Sequence, residues 1–325
     1  MKKTIKDIIE SVNESRRILL IAHIQPDGDT VGACFALKAA IKQSGKEAAV
    51  ACGSGMPRQY AFLAGKAPYF FGETPPAAYE LAIAVDCADR ERVGGLVSVF
   101  DAAEKTVNID HHRSNTRFAD INLVSDVSSA GEIVYGILRE MDTDIDRYIA
   151  RCLYAAIATD TGNFTYSNTN PNAMRITAEL MTTGFDLADT ANRLFRTRTL
   201  AATKLIGLAV GSIVLQVDGA LALMCLSKKD IISAGAKDEE CENVVNYARE
   251  IKGVRIAVFI RETDTGTYKA SFRSDDGYDV AAIAAIFGGG GHRNAAGCTV
   301  KGNLADILNR LVTEAKKQLH KKDCT

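Results

Sequence analysis

The sequence predicts an α/β fold with two domains: a parallel sheet with helices on both faces, followed by a smaller α/β domain with a mixed sheet. The chain has 325 residues, enough for about two domains. Short apolar runs alternate with helical patterns through the first half, which is typical of parallel βαβ units. The second half contains two pairs of apolar runs joined by Asp- and Gly-containing turns, which indicate hairpins.

The elements of the first domain follow from these runs in chain order. A helix follows the first strand and ends at Gly45, and another begins after Ser129, because Ser129 and Glu132 match the pattern of a capping box. Asn170 and Pro171 begin a further helix, which ends at Gly184. The strands are predicted at 17–23, 47–52, 81–86 and 105–110, and one more helix at 146–160.

The segment 186–211 has a helical pattern that changes character along its length. We therefore expect a first domain over 1–190, a connection over 191–210 and a second domain over 211–325. The second domain should contain one hairpin around Asp218-Gly219 and another around the turn 263–266. Helices near 238–251, 279–287 and 303–319 flank these hairpins.

Composition excludes several classes of protein. With 39 basic and 40 acidic residues the formal net charge is −1, which argues against a protein that grips long nucleic acid by bulk charge. The first 17 residues lack a continuous apolar core, and no run approaches the ~20 apolar residues of a membrane span. The eight cysteines form no CxxC pair and are expected to be reduced, mostly buried thiols of a cytoplasmic protein.

Unusual polar residues gather where the elements of the first domain end. In an open parallel sheet, ligands bind outside the carboxyl ends of the strands, so we expect these residues to converge in one crevice. Any one of these clusters would more often be a turn or a helix cap, but four at consecutive element ends indicate a site. The residues are His23, Asp27, Asp29, Asp86, Asp110, His111, His112 and Asp160.

So many carboxylates in one crevice raise one another's pKa unless cations balance them. A pair of divalent cations ~3.5–4 Å apart meets this need. Asp27 and Asp29 lie two positions apart, so in an extended loop they point to different sides and can bind different ions. An aspartate-rich set with some imidazole favours Mn²⁺ or Mg²⁺ over a structural zinc ion.

A second group of residues lies near the C-terminus, where four glycines (288–291) precede His292 and Arg293. Glycines allow backbone N–H groups to approach a ligand closely, and His292 and Arg293 are suitable donors to phosphate. Arg273, at the end of a predicted strand, is a further candidate for anion binding. The alternatives are a flexible turn or helix cap for the glycines and a solvated strand-end charge for Arg273.

Four segments of the first domain resemble, in order, the four motifs of the DHH phosphoesterase superfamily: HIQPDGDTVG, AVDCAD, NIDHHRSN and ATDTGNFTYSNT. The segment GGGGHRNAAG, with SFRS upstream, resembles the accessory domain called DHHA1. The resemblance implies a metal-binding catalytic DHH domain and a substrate-binding DHHA1 domain. Members of this length with this tail include the bifunctional oligoribonuclease/pAp phosphatases, or nanoRNases, which degrade very short RNA and remove the 3′-phosphate of 3′-phosphoadenosine 5′-phosphate (pAp).

The resemblance also implies a role for each residue. One Mn²⁺ binds His23, Asp27 and Asp86, and the second binds Asp29, His111 and Asp160, with Asp86 bridging; Mg²⁺ or Co²⁺ can substitute. Catalysis involves Asp86, Asp110, which orients an imidazole, and His112, which faces the scissile phosphate. Substrate binding falls to Arg273, Gly289, Gly290, Gly291 and His292, with Asn115 and Arg113 as weaker candidates.

The implied mechanism is in-line attack of a metal-bound hydroxide on phosphorus, with the metals and His112 stabilising the developing charge. The expected partners are pAp and single-stranded RNA of two to five nucleotides, without long duplexes or a membrane. A homodimer is a guess that no motif supports.

Several other functions are compatible with the motifs. A cyclic-di-AMP or pApA phosphodiesterase is the principal alternative, and an exopolyphosphatase uses the same four motifs. The glycine tail argues against an inorganic pyrophosphatase, and a RecJ-type exonuclease would need added nucleic-acid-binding domains. A non-catalytic nucleotide sensor is an alternative of another class, although a sensor could lose metal ligands and every candidate ligand is present.

Overall fold

The computed structural model describes residues 2–65, 68–76 and 78–322. The chain forms two compact units, and the division between them falls after Thr197. The helices of the first unit are α1 (Lys2–Glu14), α2 (Gly28–Gln43), α3 (Val97–Asp101), α4 (Ala130–Glu140), α5 (Arg147–Asp160), α6 (Pro171–Met181) and α7 (Leu187–Ala191). Its strands are β1 (Arg17–Ala22), β2 (Glu47–Cys52), β3 (Phe70–Phe71), β4 (Leu81–Val85), β5 (Lys105–Asp110) and β6 (Ile121–Val124).

The first unit is built on a parallel sheet with the strand order β3-β2-β1-β4-β5-β6. Successive residues of β1 enter cores on opposite faces: Ile18 and Leu20 pack among residues of α2, α4 and α5, whereas Leu19 and Ile21 pack against Phe100 of α3. These four residues of β1 are fully buried. A strand buried on both faces is apolar throughout, which is why the run at 17–23 predicted it.

Helices α2 and α5 approach closely because Gly32 lacks a side chain. A Cβ atom at Gly32 would lie 2.4 Å from the carbonyl oxygen of Cys152 and 2.9 Å from the backbone nitrogen of Ala156. Gly131 of α4 meets the same part of α5, where a Cβ would lie 2.6 Å from that of Ala156. Backbone cannot yield as a flexible side chain does, so these glycines fix the three helices against one another.

The second unit has a mixed sheet with the strand order β11-β12-β10-β9-β8-β7. Neighbouring strands are antiparallel except β8 and β9, which are parallel. Both expected hairpins form, β7–β8 and β9–β10. The strands are β7 (Val214–Gln216), β8 (Leu221–Leu226), β9 (Ile256–Asp264), β10 (Thr267–Ser274), β11 (Gly290–His292) and β12 (Ala295–Lys301), and the helices are α8 (Leu200–Gly211), α9 (Lys228–Ala234), α10 (Val245–Arg249), α11 (Val280–Ile286) and α12 (Leu304–Lys322).

The predicted fold class is confirmed, but several elements were missed. Helix α1 was not predicted, although its buried Ile5, Ile8 and Val12 follow a helical spacing. The short strands β3 and β6 were also missed. The segment 186–211 is not one helix, because a π-helical turn (Asn192–Arg196) follows α7 and precedes α8. Within the described residues, no helix combines the length and apolar character needed to cross a membrane.

Candidate metal centre

The strand order places three polar strand ends side by side. His23 follows β1, Asp86 follows β4, and Asp110 is the last residue of β5. These strands are neighbours in the sheet, and the chain runs outward from β1 and β4 in opposite directions along it. Such a switch in strand order opens a crevice at the carboxyl ends of the strands, where ligands bind in this class of fold.

Helices α2 and α5 bring the remaining carboxylates to the same place. Asp27 caps the N-terminus of α2, with its Oδ1 accepting hydrogen bonds from the backbone nitrogens of Asp29 (3.0 Å) and Thr30 (3.1 Å). Asp29 therefore lies in the first turn of α2, and Asp160 is the last residue of α5. Because α2 packs directly on α5, the two helix ends meet beside the strand ends.

Three sets of potential metal ligands form in this region. Each set has its ligand atoms within 4.8 Å of one another, and Asp86 belongs to two sets. One oxygen of Asp86, Oδ2, lies 3.4 Å from Nε2 of His23, and its Oδ1 lies 3.4 Å from Nε2 of His111. Asp86 thus lies between two groups of side chains, as a bridging carboxylate must. The sets are His23, Asp27 and Asp86; Asp29, His111 and Asp160; and Asp86, His111 and His112.

Asp86 has features that fit a metal pair. It adopts a left-handed backbone conformation with φ of 62°, which is uncommon for residues with side chains and often marks a functional position. It is 2% exposed, and its Oδ1 has only long contacts, 3.4 Å to Nε2 of His111 and 3.5 Å to Nδ1 of His112, and no well-formed hydrogen bond from the described residues. A buried carboxylate oxygen that lacks a well-formed hydrogen bond is costly, and a cation bound there would supply a close partner.

The charges of the metal-free site point in the same direction. Burial lowers the pKa of His23, but hydrogen bonds to Asp27 and Asp86 outweigh it and raise the pKa to about 10. Burial likewise lowers the pKa of His111, while its contact with Asp86 and the charges of the nearby carboxylates raise it to about 11. Burial raises the pKa of Asp160 to about 7. Protons therefore balance the carboxylates here, which means that the site favours positive charge.

A further hydrogen-bonded group surrounds the fully buried Asp110. Its Oδ1 lies 2.8 Å from Nδ1 of His112, and its Oδ2 accepts from Nδ2 of Asn115 at 2.6 Å. The same amide nitrogen lies 2.8 Å from Oδ1 of Asn108 and 3.0 Å from the carbonyl oxygen of Cys87. Asn115, expected as a substrate contact, thus has its amide nitrogen directed at Asp110 and its neighbours. Arg113 is exposed and pairs with Asp126.

The groups that orient the candidate ligands His23 and Asp160 were not predicted from the sequence. The ring of His23 places Nδ1 2.8 Å from the carbonyl oxygen of Ile24, which leaves Nε2 as the metal-binding nitrogen. Asn168 donates to Oδ2 of Asp160 at 3.3 Å. The signal available for Asn168 was its place in the segment ATDTGNFTYSNT; backbone partners such as Ile24 have no sequence signature.

In the second unit the glycine run has a largely structural explanation. Gly288, with φ of 74°, follows the end of α11. A Cβ at Gly289 would lie 2.2 Å from the carbonyl oxygen of Gly297, and one at Gly291 would lie 2.5 Å from that of Ala295. A Cβ at Gly290 would meet nothing within 4 Å. Three of the four glycines are thus explained by backbone conformation or close packing, and Gly290 is not.

The other two candidates of the second unit also lie on this sheet. Arg273 in β10 donates from Nη1 to the carbonyl oxygen of Phe272 at 2.9 Å, and its Nη2 lies 3.4 Å from Oδ1 of Asn243. His292 ends β11, and its side chain lies outside the described part of the structure.

Comparison with known proteins agrees with this fold. Residues 17–157 match the N-terminal domain of the DHH family, and residues 218–321 match the DHHA1 domain. The chain belongs to the DHH–DHHA1 phosphoesterase family, a family of metal-dependent hydrolases. The resemblance inferred from the motifs is therefore confirmed.

Individual relatives are similar along nearly their whole length. The chain is 33% identical to the bifunctional oligoribonuclease and PAP phosphatase NrnA of Thermus thermophilus, covering 93% of this chain and 89% of that protein. It is 28% identical to the protein of the same name from Bacillus subtilis, over 90% of this chain and 92% of the relative. The crystal structure of an exopolyphosphatase-related protein from Bacteroides fragilis superimposes with a TM-score of 0.91 at 24% identity, covering 98% of this chain and 96% of that one, which shows the shared fold.

Proposed function

We propose that the protein hydrolyses short oligoribonucleotides to mononucleotides and pAp to AMP, using two Mn²⁺ ions. The observation that carries this proposal is a pair of ligand sets connected by Asp86. Asp86 belongs to the set with His23 and Asp27, and its Oδ1 lies 3.4 Å from Nε2 of His111, which belongs to the set with Asp29 and Asp160. The relatives named for these two activities support the choice of substrates. Oxygen and imidazole ligands without thiolate suit Mn²⁺, with Mg²⁺ or Co²⁺ as substitutes.

The proposed ligands divide into two groups. His23 and Asp27 would hold one ion, Asp29, His111 and Asp160 would hold the other, and Asp86 would serve both. When bound, such ions lower the pKa of a coordinated water and polarise phosphoryl oxygens.

The remaining residues of the site act on the substrate. Asp110 holds Nδ1 of His112, so that Nε2 is the nitrogen assigned to the phosphate. His112 donates a hydrogen bond to a phosphoryl oxygen, and it is our candidate for the proton donor to the leaving oxygen. Burial lowers the pKa of His112, but the hydrogen bond to Asp110 outweighs it and raises that pKa, which favours the protonated donor form.

Substrate binding is assigned to the second unit. Arg273 and His292 supply charged or polar donors, and Gly289, Gly290 and Gly291 supply backbone N–H groups. A near-neutral chain of 39 basic and 40 acidic residues suits small phosphoesters rather than a long nucleic acid with many phosphate contacts. A cytoplasmic location fits the free thiols of the described residues.

A side-by-side assay with Mn²⁺ tests this proposal. The substrates are pAp, a 5′-labelled diribonucleotide, a long RNA, cyclic-di-AMP and pyrophosphate, and Asp86→Asn serves as the inactive control. We expect pAp and the dinucleotide to be turned over at least about tenfold faster than the others, a difference of about 1.4 kcal/mol in transition-state binding. Faster turnover of cyclic-di-AMP or pyrophosphate would overturn the proposal and favour that activity instead.

A further inference from the structure

A short stretch of backbone contacts two side chains of the same metal set directly. This stretch, residues 127–131, is called the anchor segment here. The carbonyl oxygen of Val127 lies 3.2 Å from Nδ1 of His111. The backbone nitrogens of Ala130 and Gly131, at the start of α4, donate to Oδ2 and Oδ1 of Asp29 at 2.6 and 2.9 Å. The helix N-terminus therefore fixes the orientation of one ligand, and a carbonyl group fixes that of the other.

The third side chain of that set is held through one intermediary. Nδ2 of Asn168 lies 3.1 Å from the carbonyl oxygen of Ser128, within the anchor segment. The same nitrogen lies 3.3 Å from Oδ2 of Asp160 and 3.1 Å from its carbonyl oxygen. The anchor segment thus has a hydrogen-bonded connection to every side chain of the set Asp29, His111 and Asp160.

The anchor segment is itself held by Glu132, a glutamate that is only 4% exposed. Its Oε1 accepts hydrogen bonds from the backbone nitrogen of Ser128 at 2.8 Å, from the Ser128 hydroxyl, and from Nδ2 of Asn170 at 2.7 Å. Its Oε2 accepts from Nδ2 of Asn172 at 2.7 Å. Asn170 in turn caps α6, so the carboxylate ties the anchor segment to the N-terminus of that helix.

This arrangement differs from the capping box that the sequence predicts. Ser129 does cap α4, because its hydroxyl accepts from the backbone nitrogen of Glu132 at 3.3 Å. The carboxylate of Glu132, however, bonds Ser128 and two residues about 40 positions further along the chain. A capping box would stabilise one helix end locally, whereas these bonds set the position of a segment that contacts a metal site.

We propose that Glu132 is a positioning residue for the metal set Asp29, His111 and Asp160, acting through the anchor segment. The inference rests on the proposed two-metal function. Glu132 touches neither ion nor substrate in this scheme; it fixes the carbonyl and N–H groups that aim the three ligands. Among the described residues, neither His23, which follows β1, nor Asp27, which caps α2, has a hydrogen bond to the anchor segment, so the set that contains them should be affected less.

The substitution Glu132→Gln tests the proposal with little change in volume. Either orientation of the amide replaces an accepting oxygen with an NH₂ group that faces a donor, the Ser128 nitrogen or the amide nitrogen of Asn172. Since both are donors, at least one of the four bonds to this side chain is lost. The other bonds lose the strength that a charged acceptor gives, so the anchor segment is held less firmly. Loss of an orienting partner typically lowers metal affinity about 10–100-fold, and here the loss should affect one ion of the two.

The measurement is titration of the full-length, metal-free protein with Mn²⁺, followed by calorimetry and electron paramagnetic resonance. We expect wild type to bind two ions with a spin-coupled signal. Glu132→Gln should keep one tight site, weaken the other at least tenfold, and show the uncoupled signal of a single ion. Glu179→Gln is the matched control, because Glu179 on α6 accepts a hydrogen bond from the Tyr135 hydroxyl and should bind both ions like wild type.

Asn172→Ala guards against a variant that does not fold. This exposed residue supplies one of the four hydrogen bonds to Glu132, so a smaller loss of affinity at the same single site is expected. Binding of two spin-coupled ions with wild-type affinity by the folded Glu132→Gln protein, or by Asn172→Ala where the former does not fold, overturns the positioning role. Wild type that binds two ions but hydrolyses neither pAp nor the dinucleotide contradicts the proposed function instead, so the two failures are distinguishable.

Discussion

Nδ1 of His112 lies 2.8 Å from Oδ1 of Asp110, and Asp110 is completely buried. The second oxygen of Asp110 accepts a hydrogen bond from Asn115 at 2.6 Å, so both oxygens are engaged. A carboxylate held in this way fixes the orientation and tautomer of the imidazole that it contacts. His112 is 24% exposed, so that a buried carboxylate controls a ring that solvent can reach.

Asp110→Asn should therefore reduce turnover without removing the metals. One carboxylate oxygen becomes an NH₂ group that faces either His112 or the amide of Asn115, and the imidazole loses its fixed orientation. We expect kcat to fall about 10–100-fold while Mn²⁺ titration still gives two ions. Asp126→Asn is the control, since Asp126 forms an exposed ion pair with Arg113 of the kind that contributes little. Wild-type turnover in Asp110→Asn would contradict the assignment of His112.

Asp86→Asn should abolish tight binding of both ions. Asn tolerates the left-handed conformation that Asp86 adopts, with φ of 62°, so the variant removes the charge while it keeps the backbone. We expect activity to fall by more than about 100-fold, which is the upper end of the effect of removing a residue that only orients a metal ligand. Asp86→Ala should be equally inactive and less stable in thermal unfolding, because Ala is strained at positive φ. Retention of one tight Mn²⁺ in Asp86→Asn would show that the carboxylate is not shared.

The fold could be predicted from sequence because its signals are local. The runs that became β1, β2 and β4 are mostly apolar, and β1 and β4 are buried on both faces, which leaves a clear pattern. β5 gives a weaker signal, because its buried Val107 and Ile109 alternate with the polar residues Thr106, Asn108 and Asp110. β3 has two residues and β6 has four, too few for any periodicity to appear. The parallel pairing of β8 with β9 joins the two hairpins, and neither turn contains information about it.

The sequence predicts the part of the candidate site that consists of Asp and His side chains, but not the groups that orient them. Asp86 and His111 were found because an Asp or His at the end of a buried strand is unusual. The spacing of Glu132 from Ser129 matches a capping box, and Ser129 does cap the helix. The carboxylate of Glu132, however, binds Ser128, Asn170 and Asn172, and the two asparagines lie too far along the chain for a local motif to indicate them. The support that Val127 gives to His111 comes from a carbonyl group, which every residue has.

Binding of Mn²⁺ should release protons, and affinity should rise with pH. In the metal-free protein the pKa of His23 is raised to about 10 and that of His111 to about 11, so both rings are protonated near neutrality. Each must lose its Nε2 proton to bind an ion. Calorimetry in two buffers of different ionisation enthalpy should show this release. Affinity that is independent of pH between about pH 6 and pH 9 would contradict it.

The same shifts predict how pH affects the metal-free fold. A folded pKa of about 10 for His23, against an ordinary value of 6.5, means that the protonated ring stabilises the native state. This contribution is fully present below about pH 6.5 and is lost as the pH rises through about 10. The melting temperature of the metal-free protein should therefore fall as the pH rises over this alkaline range. Bound Mn²⁺ should remove this pH dependence, since the rings of the metal-bound protein are already deprotonated.

Gly32→Ala and Gly136→Ala should have opposite effects on stability. A Cβ at Gly32 would lie 2.4 Å from the Cys152 carbonyl oxygen, whereas one at Gly136 in α4 would meet nothing within 4 Å. Overpacking costs about 1–3 kcal/mol, and replacing an unhindered helical glycine by alanine gains about 0.5–1 kcal/mol. Differential scanning calorimetry should show the first variant melting lower than wild type and the second higher. A Gly32→Ala protein that melts at or above the wild-type temperature would mean that α2 and α5 are not in close contact.

Gly289→Ala and Gly290→Ala separate packing from substrate binding in the second unit. A Cβ at Gly289 would lie 2.2 Å from the carbonyl oxygen of Gly297 and 2.4 Å from the Cβ of Cys298, but one at Gly290 has open space. Gly289→Ala should therefore destabilise the sheet. Gly290→Ala should melt like wild type, and any effect it has on catalysis must arise from the ligand.

A glycine at 290 is then required only if a substrate approaches its backbone. We expect Gly290→Ala to raise the KM for pAp about tenfold, equivalent to about 1.4 kcal/mol of binding, with little change in kcat and in the number of Mn²⁺ ions bound. Steady-state kinetics at saturating Mn²⁺ give KM and kcat, and thermal unfolding of the same preparation gives its stability. An unchanged KM would mean that substrate binding does not require a glycine at position 290, and Arg273 would then be the residue of the second unit to test for phosphate binding.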